Sequence, residues 1–156
     1  MYKKFILIII MSSLTIQCGF TPLYSTKQRD INFSISETNF KGDKIINNYL
    51  KTNLSKYKNE DYEKKFTIKT STKYDKKTLS KDETANITDY ELSVKTIFSI
   101  SLNNKFIKEI SISEKKEMNN QTDKFEEQKY ERVIKQNFAT SISNKLIIEL
   151  LLIDDI

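Results

Sequence analysis

The chain has 156 residues, 38% hydrophobic and 30% charged, with a formal net charge of +5, which suits one domain with a modest core rather than two. It holds no histidine and a single cysteine, Cys18, so a histidine-based triad, a Cys/His zinc site and an intramolecular disulfide are all excluded. Its basic residues are interleaved with acids, as at Lys64-Lys65 beside Glu60, Asp61 and Glu63, which reads as solvated surface and not as the one-sided basic face of a nucleic-acid binder. Contact with an acidic lipid head group is the other reading of these charges. No catalytic residue, metal ligand or nucleic-acid partner is expected.

The amino-terminal segment has three parts. Lys3 and Lys4 precede an apolar run from Phe5 to Met11, and small and polar residues then lead through Gln17 to Cys18. That is the layout of a secretory signal peptide over residues 1–17, with an apolar stretch too short to span a bilayer. A buried amino-terminal helix or strand is the alternative. Cys18 directly behind the apolar run resembles a lipobox, in which the thiol accepts diacylglycerol and the amine freed by cleavage takes a further acyl chain. Leu14 lies four residues before the cysteine, not the usual three, and Gln17 stands where Gly, Ala or Ser is customary. An uncleaved anchor with a free thiol therefore stays open. Two or three acyl chains make a stable anchor, because each buried methylene contributes about 0.8 kcal/mol. Gly19, and not Asp, follows the cysteine, which is compatible with passage to the outer membrane. Residues 18–29 form a short tether stiffened by Pro22.

The body spans residues 30–153. Ile31, Phe33 and Ile35 alternate with polar residues as in a half-buried strand. Asn39 to Asp43, with Gly42, predicts a turn. From Lys44 to about Tyr57 the apolar residues Ile45, Ile46, Tyr49, Leu50, Leu54 and Tyr57 share one helical face, with Asp43 as the N-cap. Phe66, Ile68, Thr70, Thr72 and Tyr74 predict a second strand, and a lysine-rich loop is expected from Asp75 to about Glu83. The strongest strand signal is Tyr90, Leu92, Val94, Thr96, Phe98, Ile100 and Leu102, all of one parity. Asn103-Asn104 predicts a tight turn into a return strand carrying Phe106, Ile110 and Ile112. Ile107 breaks that alternation and marks either a bulge or the exposed face.

From Asp123 to about Leu151, Tyr130, Val133, Ile134, Phe138, Ile142, Leu146, Ile147, Leu150 and Leu151 recur at spacings of three and four, predicting an amphipathic helix of about 27 residues. Its apolar end, Leu146 to Ile153, is too short for a membrane span and contains Glu149, so core packing is expected. The order β-α-β-β-β-α predicts an α+β fold, a two-layer sandwich in which two helices pack on one face of a four-stranded, mostly antiparallel sheet.

The stretch Cys18-Gly-Phe-Thr-Pro-Leu-Tyr24 resembles the opening of the lipopolysaccharide-assembly lipoprotein LptE, especially its alphaproteobacterial branch, and the element order is similar over the rest of the chain. The resemblance implies a non-enzymatic outer-membrane subunit, lipid-anchored on the periplasmic face. Such a subunit plugs and helps to assemble a large β-barrel, LptD, and helps deliver lipopolysaccharide to the outer leaflet. Diacylglycerol and N-acyl lipid on Cys18 would be its only attached groups. The family's lipid-contacting basic residues match no motif here. If phosphorylated lipid A is contacted, lysines at loop or strand ends are the physical candidates, namely Lys73, Lys76, Lys77 and Lys105. Plain surface is the commoner role for each. Two other classes stay open: a lipoprotein accessory to an ABC-type lipid transport system, and a periplasmic enzyme.

Overall fold

The computed structural model describes residues 31–154. The expected signal peptide (1–17), Cys18 and the tether (18–29) lie outside the described residues. The elements are β1 (Phe33–Gly42), α1 (Lys44–Leu54), a 3-10 turn (Ser55–Tyr57), β2 (Lys64–Lys81), β3 (Ile87–Leu102), β4 (Lys105–Asn119) and α2 (Lys124–Asp154). The sheet has the order β1-β2-β3-β4, with β1 parallel to β2 and the other two pairs antiparallel. A parallel neighbour needs a crossover, and α1 with the segment behind it supplies one. The fold is the expected α+β sandwich.

Even-numbered residues of β2 up to Thr78, of β3 from Tyr90 and of β4 from Lys108 face the helices. Phe66, Ile68, Leu92, Val94, Phe98, Ile100, Ile112 and Met118 are buried there against Ile46, Leu50 and Leu54 of α1 and Ile134, Phe138, Ile142, Leu146, Ile147 and Leu150 of α2. Phe33 and Phe66 meet edge to face at 5.2 Å. Among the described residues no helix is long and apolar enough to cross a membrane.

Several boundaries differ from expectation, each for a local reason. β1 starts at Phe33, not Ile31, because its partner strand begins at Lys64, opposite Phe33. It then runs through the expected turn and ends at Gly42. There φ is +99°, and a Cβ would lie 1.8 Å from the Thr72 carbonyl oxygen, so only glycine lets the chain leave the sheet at that point. Asp43 then caps α1, its Oδ1 accepting from the Ile46 N–H at 2.9 Å.

The expected loop from Asp75 is strand as far as Lys81. Pairing continues through Lys76↔Leu92 and Thr78↔Tyr90 because β3 has apolar residues to align there, and Lys76 keeps its stem on the inner face with its ammonium 4.2 Å from the Tyr90 ring centre. The hairpin loop shrinks to 82–86, where Asp82 Oδ1 accepts from the Thr84 and Asn86 N–H groups.

Asn103 and Asn104 both have positive φ, 47° and 67°, as a two-residue hairpin turn requires. Just past it, Ile100 pairs with Lys108 and Ser101 with Phe106, which leaves Ile107 as an extra, bulged residue. The bulge reverses parity. Phe106, expected on the core face, points outward and is 60% exposed. In α2, Tyr130 and Val133 are exposed instead of buried, because at that level the helix turns a charged face to the sheet.

Candidate interaction surfaces

The charged part of the interface joins β2 to α2. Glu127, Glu131 and Lys135 recur every fourth residue, so they share one face of α2. Opposite them stand Tyr74 and Lys76, which share the inner face of β2. The Lys76 ammonium donates to Glu127 Oε1 at 2.8 Å and to Glu131 Oε2 at 2.9 Å. Tyr74 donates its hydroxyl to Glu131 Oε1 at 2.9 Å. Lys135 donates to Asp43 Oδ2 at 3.1 Å and lies 3.8 Å from the centre of the Tyr74 ring.

The cluster is electrostatically closed. Bonds from Lys124 and then Lys76 hold the Glu127 carboxyl at about 2. Burial works against a charged Glu131, but bonds from Lys76 and Tyr74 outweigh it and keep that carboxyl below its ordinary value. Burial also opposes the charged Lys76, yet its bonds to Glu127 and Glu131 raise its pKa. Burial, followed by the bond to Glu131, pushes the Tyr74 hydroxyl far up. Glu127 and Glu131 are thus held charged, Lys76 is held protonated and the Tyr74 hydroxyl keeps its proton. This arrangement ties α2 and the start of α1 to β2. Among the described residues no three His, Cys, Asp or Glu side chains converge as a metal site.

Among the described residues no helix packs on the opposite face of the sheet. Its residues form rows across the strands: Asn39–Lys69–Ser99–Glu109, then Lys41–Ser71–Ile97–Ser111, then Lys73–Lys95–Ser113, then Asp75–Ser93–Lys115. Hydroxyls and lysines dominate, with Ile97 and Phe106 as the large apolar side chains. Two open grooves lie on this face. One, of about 300 Å³, runs along Asn39, Lys41, Lys69, Ser71, Ile97 and Glu109. The other, of about 260 Å³, runs along Lys73, Asp75, Ser93, Lys95 and Lys115.

The four expected lipid-facing lysines separate. Lys73 is exposed on the outer face, directly opposite Lys95. Lys77 is exposed on the same face and pairs with Asp75 at 3.2 Å. Lys105 is exposed at the start of β4, beside the 103–104 turn. Lys76 faces the other way and is committed to two carboxylates. Cys18 lies outside the described residues. Sequence reasoning missed Glu127, Glu131 and Lys135, although their spacing along one helix face, against a strand reading Tyr74-x-Lys76, was available.

No family model and no curated protein matches this sequence. Among solved structures, rare lipoprotein B of Shewanella oneidensis superposes with a TM-score of 0.57 at 12% identity, covering 76% of this chain and 96% of that one. A minor lipoprotein of Acinetobacter baumannii superposes with a TM-score of 0.51, also at 12% identity, covering 72% of this chain and 91% of that one. The chain shares the fold of these two lipoproteins.

Proposed function

We propose that the chain is an outer-membrane lipoprotein of the LptE type. It is anchored on the periplasmic face through acyl chains on Cys18, fills and helps to assemble an LptD-like β-barrel, and helps to deliver lipopolysaccharide to the outer leaflet. The observation that carries this reading is the conjunction of two features. The fold is that of rare lipoprotein B over nearly all of that protein, and the chain carries a cysteine directly behind a short apolar run. The outer sheet face supports it further. Its hydroxyls and lysines suit the wet, polar interior of a barrel, where a greasy plug would not. Exposed Lys73, Lys77 and Lys105 are the candidates for phosphate contact; Lys76 is already occupied.

The test is a pull-down from native membranes with a tag after Ile156, read by mass spectrometry. Recovery of one large outer-membrane β-barrel in near-equal amount supports the proposal. Recovery of an ABC permease or its binding protein instead would overturn it in favour of the transport-accessory class. In parallel, Cys18→Ser should leave the precursor unprocessed and mislocalised with its domain folded. Normal outer-membrane fractionation of that variant would remove the lipid anchor from the proposal.

A further inference from the structure

β1 and β2 part company at Gly42 and Thr72. The last β1–β2 pair is Gly42↔Thr72, yet β2 continues to Lys81 with β3 on its other side. Beyond Thr72, no strand among the described residues lies along that edge of β2. The orientation of that edge follows from a single bond. The Thr72 carbonyl accepts from the Asp43 N–H on the β1 side at 3.1 Å. Backbone groups alternate along a strand, so Tyr74, Lys76 and Thr78 turn their N–H and C=O groups toward the same open side. At Leu79 a bulge breaks the register and closes the run. The result is a strand-length slot in line with β1, with its floor held rigid by the Tyr74–Lys76–Glu131 bonds.

The charges beside the slot say what fits it. Lys73 and Lys77 stand on the outer face along this edge, with Asp75 between them and paired to Lys77 at 3.2 Å, so the edge keeps a net positive charge centred on Lys73. Lys73 has no carboxylate partner among the described residues and is pushed from behind by Lys95, directly opposite it on β3 and equally unpartnered. Lysines on an edge commonly deter a strand from pairing with itself, and here they would. Antiparallel pairing of two copies centred on Asp75 sets Lys73 against Lys77 and carboxylate against carboxylate. Centred on Lys76, it sets that lysine against itself and Asp75 against Lys77, two charges that already pair within one copy. The outer edge, on β4, differs, because Lys108, Glu114 and Lys115 are paired within the chain and its other charges, Lys105, Glu109, Lys116 and Glu117, are of both signs.

We infer that the free edge of β2 at Tyr74–Thr78 receives an extended acidic segment of a partner protein by strand addition, its alternate carboxylates lying over Lys73 and Lys77. Main-chain bonds to the edge supply affinity, and the lysines select the sign of the guest. This holds whichever partner the chain proves to have, and so stands apart from the barrel proposal.

The test uses the full chain in its native membrane. A photo-crosslinking residue is placed singly at Lys73 and Lys77, and for comparison at Lys115 and Glu117 near the β4 edge, and the crosslinked peptides are sequenced. The expected result is that positions 73 and 77 capture same-parity residues of one acidic segment, while 115 and 117 do not. Lys73→Glu should lower the yield at position 77 by about tenfold, and Lys73→Arg should leave it unchanged. Capture of a second copy or of lipid, capture of residues with no common spacing, no capture at all, or indifference to Lys73→Glu would each overturn the inference.

Discussion

The ammonium of Lys135 lies 3.8 Å from the centre of the Tyr74 ring, joining the middle of α2 to β2 through a cation–π contact. The same ammonium binds Asp43, the residue that caps α1. One side chain thus connects both helices and the sheet at the point where β1 ends. Glu131 Oε1 also stands 3.5 Å from its ammonium, and the side chain is only 10% exposed, so its charge is balanced by these partners more than by water.

Lys135→Ala should therefore destabilise the fold by about 3 kcal/mol, because it leaves Asp43 partly buried without its counter-charge. Lys135→Met refills the space of the stem but not the charge, and should recover only part of that loss. Combining Lys135→Met with Asp43→Asn should recover more, since asparagine still caps α1 and carries no orphaned charge. Urea unfolding of the three variants reads this directly. A double variant no more stable than Lys135→Met alone would show that the charge pairing is not what matters.

Acid should loosen the β2–α2 connection through Glu127. Its carboxyl titrates at about 2 in the folded chain, held there by Lys124 and then Lys76, against 4.5 when free of them. A depressed folded value means the stabilisation is complete above about 4.5 and is lost as the pH falls toward 2. Glu127→Gln should be less stable at neutral pH and should lose less on acidification across that window. Lys124→Ala should matter less than Lys76→Ala, because the Lys124 side chain is largely exposed and its pair is screened. Stability measured from pH 6 down to about 2 tests both statements; parallel slopes for wild type and Glu127→Gln would refute the first.

The contrast between these charges and the rest of the core explains what was legible in the sequence. Strict alternation from Tyr90 to Leu102 and the threes and fours from Ile134 to Leu150 encode burial directly, so β3 and most of α2 were readable. The segment Asp75–Lys81 was not. Its strand character comes from the register with β3, and its inner side chain, Lys76, is satisfied by α2 residues some fifty positions away. Polar pairing across that distance leaves no local period. The outward turn of Phe106 was hidden for another reason: one bulged residue reverses every parity before it, and Ile107 alone could not say which reading applied. Spacing of Glu127, Glu131 and Lys135 was visible, but charges on a helix face normally point to water, so the pattern lacked a sign of direction.

Gly42 carries a sharper prediction. Gly42→Ala puts a methyl group 1.8 Å from the Thr72 carbonyl oxygen and forces a side chain into φ +99°. Both strain and contact oppose it, and the loss should be on the order of 3 kcal/mol. The damage should reach beyond stability. If the chain cannot leave the sheet at this point, the end of β1 and the start of α1 must shift together, and amide exchange should rise around Asp43–Asn47 before it does in β3 and β4. Uniform exchange across the sheet would contradict that order.

The 103–104 turn separates two asparagines that look equivalent in sequence. Both occupy positive φ, which asparagine tolerates and glycine prefers. Asn103 does more, since its Oδ1 accepts from the Lys65 N–H at 3.2 Å while its own N–H donates to the Lys65 carbonyl at 3.1 Å, tying the β3–β4 turn to the start of β2. Asn104→Gly removes backbone strain and loses no bond that the turn uses. The greater freedom of glycine in the unfolded chain offsets part of the gain, so the net effect should lie within about 0.5 kcal/mol of zero. Asn103→Gly gains the same relief but gives up the Lys65 bond, a loss of about 1 kcal/mol. Thermal unfolding should therefore rank Asn104→Gly above Asn103→Gly, and the opposite order would mean that the turn's own conformation outweighs its link to β2.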